Sequence, residues 1–165
     1  MNNELKTIKF GLLLVMLSLL FGIGMGAAFG INEDSFKSYV AEGIAANPDV
    51  HDEQSAGKIW RYAQRAHFHA TGIAAFSIGL LLLIAHSSLA AGLKKIAAIL
   101  VGLGGAYPLG WLTMFILAPS IGRSAAHDHI VTDIFVRIGV IGLLAGIVLL
   151  CANLFLGMFR GSATD

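Results

Sequence analysis

Four long apolar stretches constrain the fold of this chain more than any other feature of its sequence. They run over residues 8–31, 66–85, 96–118 and 134–159. Each is long enough to cross the hydrocarbon core of a bilayer, which takes about 20 helical residues. Lipid offers no partner for backbone amides, so a spanning segment must be helical. The sequence therefore predicts an all-α integral membrane protein whose 165 residues form one four-helix bundle.

The composition excludes several other classes of protein. Only 13% of the residues are charged and 56% are hydrophobic, whereas a soluble domain carries about 25% charged residues. The formal net charge is +1 with no block of like charges, so no nucleic-acid partner is expected. A single cysteine, Cys151, excludes an internal disulfide and a cysteine-based zinc site. No phosphate loop or hydrolase motif is present, and the sequence assigns no enzymatic activity.

The distribution of basic residues predicts the orientation in the membrane. Lysine and arginine are in excess on the side shared by the two termini, at Lys6, Lys9, Lys94, Lys95 and Arg160. Because basic residues favour the cytoplasmic side, we expect both termini to lie in the cytoplasm. The membrane is expected to be the inner or plasma membrane. The first apolar run is longer than the core of a usual signal peptide, so we interpret it as a retained helix.

The outer loop between the first two spans, residues 32–65, is expected to form short amphipathic helices. Asp34 or Ser35 can cap a helix that Asn47 and Pro48 then end. A second helix begins near Asp52 and runs into the second span. We expect both helices to lie on the outer surface of the membrane.

Small residues and one proline indicate how the spans pack. Glycine or alanine recurs every four residues in each span, at Gly22, Gly26 and Gly30, at Ala66, Ala70 and Ala74, at Gly102, Ala106 and Gly110, and at Gly142 and Gly146. Such faces let helices approach closely, either within the bundle or with partner subunits or further copies of the chain. Pro108 predicts a kink near Gly104. The kink is either plain packing or the opening of a cavity for a cofactor or a quinone.

Six histidines carry the chemical information in the sequence. They are His51, His67, His69, His86, His127 and His129. Ionisable groups are expensive in a membrane and usually mark a site. Five of the six lie near the outer side, whereas His86 lies alone at the inner end, where we expect capping or interfacial packing. His51, next to two acids, has no assigned role beyond a possible contribution to a metal site.

His69 is the first candidate ligand for a cofactor. Residues two apart on a helix point about 200° apart, so His67 and His69 cannot both reach one cofactor. Gly72 lies one turn after His69 and leaves room for a flat ring. These features are those of a helix that binds haem, an iron porphyrin often held by axial imidazoles.

The opposing ligand is expected from the segment before the fourth span. His129 is the first choice and His127 the second, with His67 and His127 as an alternative pair. Arg65 and Arg137 are expected to neutralise haem propionates. Ser124 can cap the fourth helix, which would put His129, Asp133 and Arg137 in one row.

One short run resembles a known family. The residues Arg65-Ala66-His67-Phe68-His69-Ala70-Thr71-Gly72-Ile73 resemble the low-spin haem helix of the haem-copper oxidase superfamily and its small four-helix relatives, in which a haem ligand follows an arginine. The resemblance implies a b-type haem, and its alignment makes His67 rather than His69 the ligand. The choice between the two stays open here.

Three functions remain compatible with the sequence. The first is an electron-transfer subunit that passes electrons between a quinone or an outer donor and a partner through one b-type haem near the outer face. The second is a metalloprotein with an outward-facing copper, zinc or iron ion, whose candidate ligands are His67, His69, His127, His129, Asp128 and Asp133. The third is a packing subunit without a cofactor.

Overall fold

The computed structural model describes residues 3–161, and nearly all of them are helical. The helices are α1 (Asn3–Ala46), α2 (Ser55–His86), α3 (Ala91–Leu103), α4 (Tyr107–Ile121), α5 (Arg123–His127) and α6 (Ile130–Leu156), with 3-10 turns at Pro48–Val50 and Gly104–Ala106. Within the described range, extended pairing is limited to one bridge between Leu89 and Arg160. The predicted all-α class is confirmed.

Among the described residues, four helical stretches are long and apolar enough to cross a membrane. They cover Glu4–Ala46, Ser55–His86, Ala91–Ile121 and Ile130–Leu156. The third consists of α3 and α4 in succession, joined by the turn at Gly104–Ala106. Pro108 stands at the start of α4, where its missing amide hydrogen leaves no hydrogen bond unmade. The break expected near Gly104 is confirmed.

Helix α1 continues well beyond the predicted first span. Asn32 has non-helical dihedrals (φ −147°, ψ 45°) and kinks the helix, which then runs on to Ala46. The surface helix predicted after residue 32 is therefore present, but it is joined to the first span rather than separate. A Glu33–Lys37 ion pair of 2.9 Å, one turn apart, supports the helix directly after the kink.

Most of the small-residue faces lie at contacts between helices of the same chain. A methyl group at Gly22 would meet Thr71 of α2, and one at Gly110 would meet Val136 of α6. Similar contacts are made by Gly26, Gly102, Gly142 and Gly146. Gly30 is the exception, because a methyl group there would have no described atom within 4 Å. Helix α1 thereby packs on α2 and α3, and α4 packs on α2 and α6.

The segment between α1 and α2 is anchored on the end of α4. The His51 Nε2 atom lies 3.0 Å from the Pro119 carbonyl oxygen. An ion pair of 2.8 Å joins Arg123 to Asp52. Gly122 has a φ of +82°, which favours glycine, and lies against the Val50 carbonyl. His51 thus connects this segment to α4.

Asp52 also stabilises the start of α2. Its Oδ1 accepts hydrogen bonds from the Gln54 amide at 3.0 Å and the Ser55 hydroxyl at 2.8 Å. The Ser55 hydrogen bond, aided by the Arg123 charge, holds the pKa of Asp52 below its ordinary value. A carboxylate with a depressed folded-state pKa contributes stability that is complete above the unfolded pKa of about 3.9 and is lost as the pH falls through the folded pKa.

We therefore expect Asp52→Asn to lower the thermal unfolding midpoint at pH 7, because the ion pair with Arg123 and the charge-assisted hydrogen bond with Ser55 are lost. The difference from wild type should shrink as the pH falls below about 4. Thermal unfolding of detergent-solubilised protein at a series of pH values measures it. Glu53→Gln, at an exposed neighbour, is the control and should match wild type. If the unfolding midpoint of Asp52→Asn were lower than that of wild type by the same amount at every pH, the stabilising role of the Asp52 carboxylate would be contradicted.

Candidate functional site

His67 lies in the interface between α2 and α1. Its Nδ1 is 2.7 Å from the Gly22 carbonyl oxygen, and its ring occupies the space beside Gly26. The Phe29 ring packs edge-on at 6.1 Å between centroids. The Nδ1–H group therefore donates to α1, which joins the two helices by a side-chain hydrogen bond.

His69 faces α4, away from His67. Its ring stacks on Trp111 (5.9 Å between centroids, 17° between planes) and meets Tyr107 edge-on at 5.0 Å. The side chain is half-buried. Within residues 3–161 neither of its ring nitrogens takes part in a hydrogen bond, whereas each of the other five histidines has one ring nitrogen in such a contact. His69 is the histidine left with both nitrogens unbonded.

Two further predicted residues share this face of α2. The Arg65 guanidinium lies 4.7 Å from the centroid of the Trp111 ring, and no acid of the described chain pairs with it. At Gly72 a methyl group would have no atom of another described element within 4 Å, so the backbone is open there. A cation, an imidazole and an open backbone thus follow one another at intervals of about one turn. We call Arg65, His69, Gly72, Tyr107 and Trp111 the Trp111 site.

The segment before α6 differs from its prediction. The fourth helix does not start at a Ser124 cap, because Arg123–His127 is a separate short helix and α6 begins at Ile130. His129 instead caps α6, with its Nδ1 accepting from the Val131 amide at 3.3 Å. Because His129 precedes α6, it does not lie on a face of that helix. The predicted row of His129, Asp133 and Arg137 is therefore reduced to Asp133 and Arg137.

Asp133 and Arg137 form the remaining pair of that row. The Arg137 Nε donates to both Asp133 carboxylate oxygens, at 2.7 and 2.6 Å. His127 is 72% exposed, and its Nδ1 is 2.8 Å from the carboxylate of Asp128. Both contacts are between neighbours on the surface.

The helix contacts define the depth of His69 relative to α6. Tyr107 meets the His69 ring on one side, and its backbone meets Gly139 of α6 on the other. His69 also stacks on Trp111. A methyl group at the neighbouring Gly110 would meet Val136 and the Thr132 carbonyl of α6. His69 therefore lies at the level of residues 132–139 of α6, whereas His129 precedes that helix as its cap. The pairing of His69 with His129 stays a prediction.

The alternative pair makes its hydrogen bonds with other residues. His67 bonds to Gly22 between α1 and α2, whereas His127 is exposed before α6 and contacts Asp128. Of the six predicted metal ligands, His127 and Asp128 are the two whose side chains contact each other among the described residues. Within residues 3–161 no group of three or more His, Cys, Asp or Glu side chains could hold a metal ion. The joint roles of these residues stay predictions.

Trp111 is the component of the site that sequence reasoning did not connect to His69. Tyr107 and Trp111 are spaced by four on the kinked third span, which indicates a shared face but not the partner of that face. The structure shows that α2 is the partner, with Tyr62 also 5.7 Å from Trp111 between ring centroids. The Trp111 Nε1 is buried and without a hydrogen-bond acceptor among the described residues.

Comparisons with known proteins add no assignment: no protein-family model, no curated protein and no solved structure matches this chain.

Proposed function

We propose that this protein is a multi-pass membrane electron-transfer subunit that binds one b-type haem through His69. The observation that carries the proposal is that His69, alone among the six histidines of the described chain, has both ring nitrogens unbonded. It is flanked by Arg65 and Gly72, the residues expected beside a haem ligand.

The side chains of the Trp111 site fit one face and one edge of a haem. His69 would hold the iron, and the open backbone at Gly72 would leave room for the flat ring. Arg65 is exposed and free of acids in the described chain, so it would pair with a propionate. Arg137, the second predicted partner of a propionate, lies two residues from Gly139 and so points about 200° away from the Tyr107 contact of α6. It therefore stays only a sequence prediction as a propionate partner.

Bound haem would supply one-electron chemistry, and the protein would tune its potential. Trp111 and Tyr107 restrict the rotation of the His69 imidazole by ring contacts on two sides. Their apolar rings also exclude water from that side of the site, which favours the less charged oxidation state of a buried cofactor. Among the described residues, the ring contacts of His69 are made by Tyr107 and Trp111 and not by a second histidine, so His69 would be the residue of this chain that holds the iron.

Membrane insertion is supported by the surface of the molecule. Large apolar side chains are exposed along the candidate spans, among them Leu20 (62%), Ile141 (63%) and Val148 (65%). Such an apolar exterior is suited to lipid. We propose a four-helix bundle with both termini cytoplasmic and the Trp111 site in the outer half.

The absorbance spectrum of protein purified after expression with excess haem tests the function. A Soret band that changes on reduction is expected. A spectrum without this band would reject the haem proposal. Metal analysis of the same sample would then separate a metalloprotein from a packing subunit.

Single-cysteine labelling tests the orientation. In a Cys151→Ser background, Glu53→Cys should react with a membrane-impermeant maleimide on intact cells, and Lys95→Cys should react only after lysis. Both positions are exposed, so burial does not limit the reaction. Label on Lys95→Cys in intact cells would invert the assignment.

A further inference from the structure

Two cavities lie along α1 at different depths, and α4 contributes to the lining of both. We call these two cavities together the groove. The outer cavity has a volume of about 460 Å³ and is lined by Asn32, Ser35, Phe36, Tyr39, Phe115 and Ile116. The inner cavity has a volume of about 330 Å³ and is lined by apolar side chains of α1, α3 and α4 together with Ser18 and bare glycine backbone. Small-molecule sites typically have volumes of about 300–1,000 Å³.

The two cavities lie along the same pair of helices. Leu109 lines the inner cavity and Ile116 the outer one, seven residues apart on α4. This separation is about 10 Å along the helix axis. Asn32 directly follows the first predicted span, whereas Leu109 lies within the third. The polar end of the groove is therefore at the proposed membrane surface and the apolar end in the hydrocarbon region, which is the orientation of an amphiphile in one leaflet.

The outer cavity presents neutral hydrogen-bonding groups and aromatic rings. The Asn32 side-chain oxygen accepts from the Ser35 hydroxyl at 2.7 Å, and the Asn32 amide nitrogen has no partner among residues 3–161. Phe115 contacts the rings of Phe36 and Tyr39 at centroid distances of 6.2 and 5.7 Å. An amide donor beside aromatic rings suits a flat ligand head that carries carbonyl oxygens.

Charge separates the possible amphiphiles. No lysine or arginine of the described chain lines either cavity. The nearest in sequence, Lys37, is paired with Glu33 and lies 5.9 Å from the centroid of the Trp60 ring. The phosphate of a phospholipid would find no cation in the groove, whereas an uncharged head needs none.

We infer that the groove binds an isoprenoid quinone, with its ring in the outer cavity and its tail in the inner one. Three aromatic residues of α4 belong either to the Trp111 site or to the outer cavity. Tyr107, Trp111 and Phe115 follow one another every four residues on α4 and so share a face. Trp111 stacks on His69, and Phe115 lines the outer cavity. A role for the quinone as electron donor or acceptor depends on the proposed function. Its binding is inferred from the groove alone.

Photolabelling of the full chain in phosphatidylcholine nanodiscs tests the inference. The probe is an azido-ubiquinone, competed by decylubiquinone, and label is expected on residues 32–39 and 115–116. Ile116→Trp fills the outer cavity and should weaken competition at least about ten-fold. Asn32→Leu removes one hydrogen-bond donor and should weaken it about five-fold. Ile141→Trp, at an exposed position on α6, is the matched control and should leave competition unchanged.

Several results would overturn the inference. These are label spread over α6, equal competition in Ile116→Trp and the control, or displacement of the probe by phosphatidylglycerol. Leu17→Trp, at an exposed position lining the inner cavity, provides the same comparison if Ile116→Trp does not fold. His69→Ala should keep the label, because the groove does not include His69. Wild-type protein that takes the label but shows no Soret band would reject the proposed function and leave this inference standing.

Discussion

His69→Ala is expected to abolish haem binding, or to change the spectrum of the haem that remains, in protein expressed with excess haem. The alanine removes the one imidazole whose two nitrogens are unbonded within the described chain, and the axial ligand determines spin state and potential. Absorbance and electron paramagnetic resonance spectra measure the change. His86→Ala is the matched control: its Nδ1 lies 3.0 Å from the Leu82 carbonyl of its own helix, and its spectrum should equal that of wild type.

Two further variants separate the competing ligand assignments. His129→Ala should keep the spectrum and cost about 1 kcal/mol of stability, because His129 caps α6. Loss of the low-spin signal in His129→Ala would instead support the sequence prediction of a His69–His129 pair. An unchanged spectrum in His69→Ala, with loss in His67→Ala, would assign the ligand to His67, as the resemblance to haem-copper oxidases implies.

Gly11→Ala is expected to destabilise the protein by about 1–3 kcal/mol, the usual cost of forcing an extra methyl group into a packed interface. The new methyl would overlap the Ala98 carbonyl of α3. Because the obstacle is backbone rather than a flexible side chain, helices α1 and α3 would have to separate. Unfolding of the purified protein by heat, or by denaturing detergent added to mild detergent, measures the loss.

Gly24→Ala is the matched control for this substitution on the same helix. A methyl group at Gly24 would have no described atom within 4 Å. Since alanine favours a helix interior over glycine by about 1 kcal/mol, this variant should equal or exceed wild type in stability. Equal losses in both variants would show that the α1–α3 contact at Gly11 is not close.

Several features of the structure follow from local sequence patterns. A run of apolar residues long enough to cross a bilayer must be helical, so the four long helical stretches were predictable. Pro108 determines a break because its ring and missing amide act on its own helix. The opposite directions of His67 and His69 follow from helical periodicity alone, and the Asp133–Arg137 ion pair follows from its spacing of four.

Other features needed the tertiary contacts. His129 was expected on a helix face and instead caps the helix, because Asp128 and His129 separate α5 from α6. Trp111 became part of the candidate site only because α4 packs against the His69 face of α2. The docking of His51 on Pro119 joins residues 68 positions apart, a contact that no local pattern indicates.

The sequence by itself determined the all-α class, the four long apolar helices, the break before Pro108 and the opposite directions of His67 and His69. Only the tertiary structure decided which helices are neighbours, which side chains each histidine contacts, and where cavities remain between the helices. Hydropathy and periodicity are properties of one segment and are encoded locally. The order in which helices are neighbours, and their relative alignment, depend on contacts between helices. At Gly22, Gly110 and Gly139 the bare backbone of one helix meets residues of another helix. Close packing, rather than hydrophobicity, selects the partner helix at such contacts.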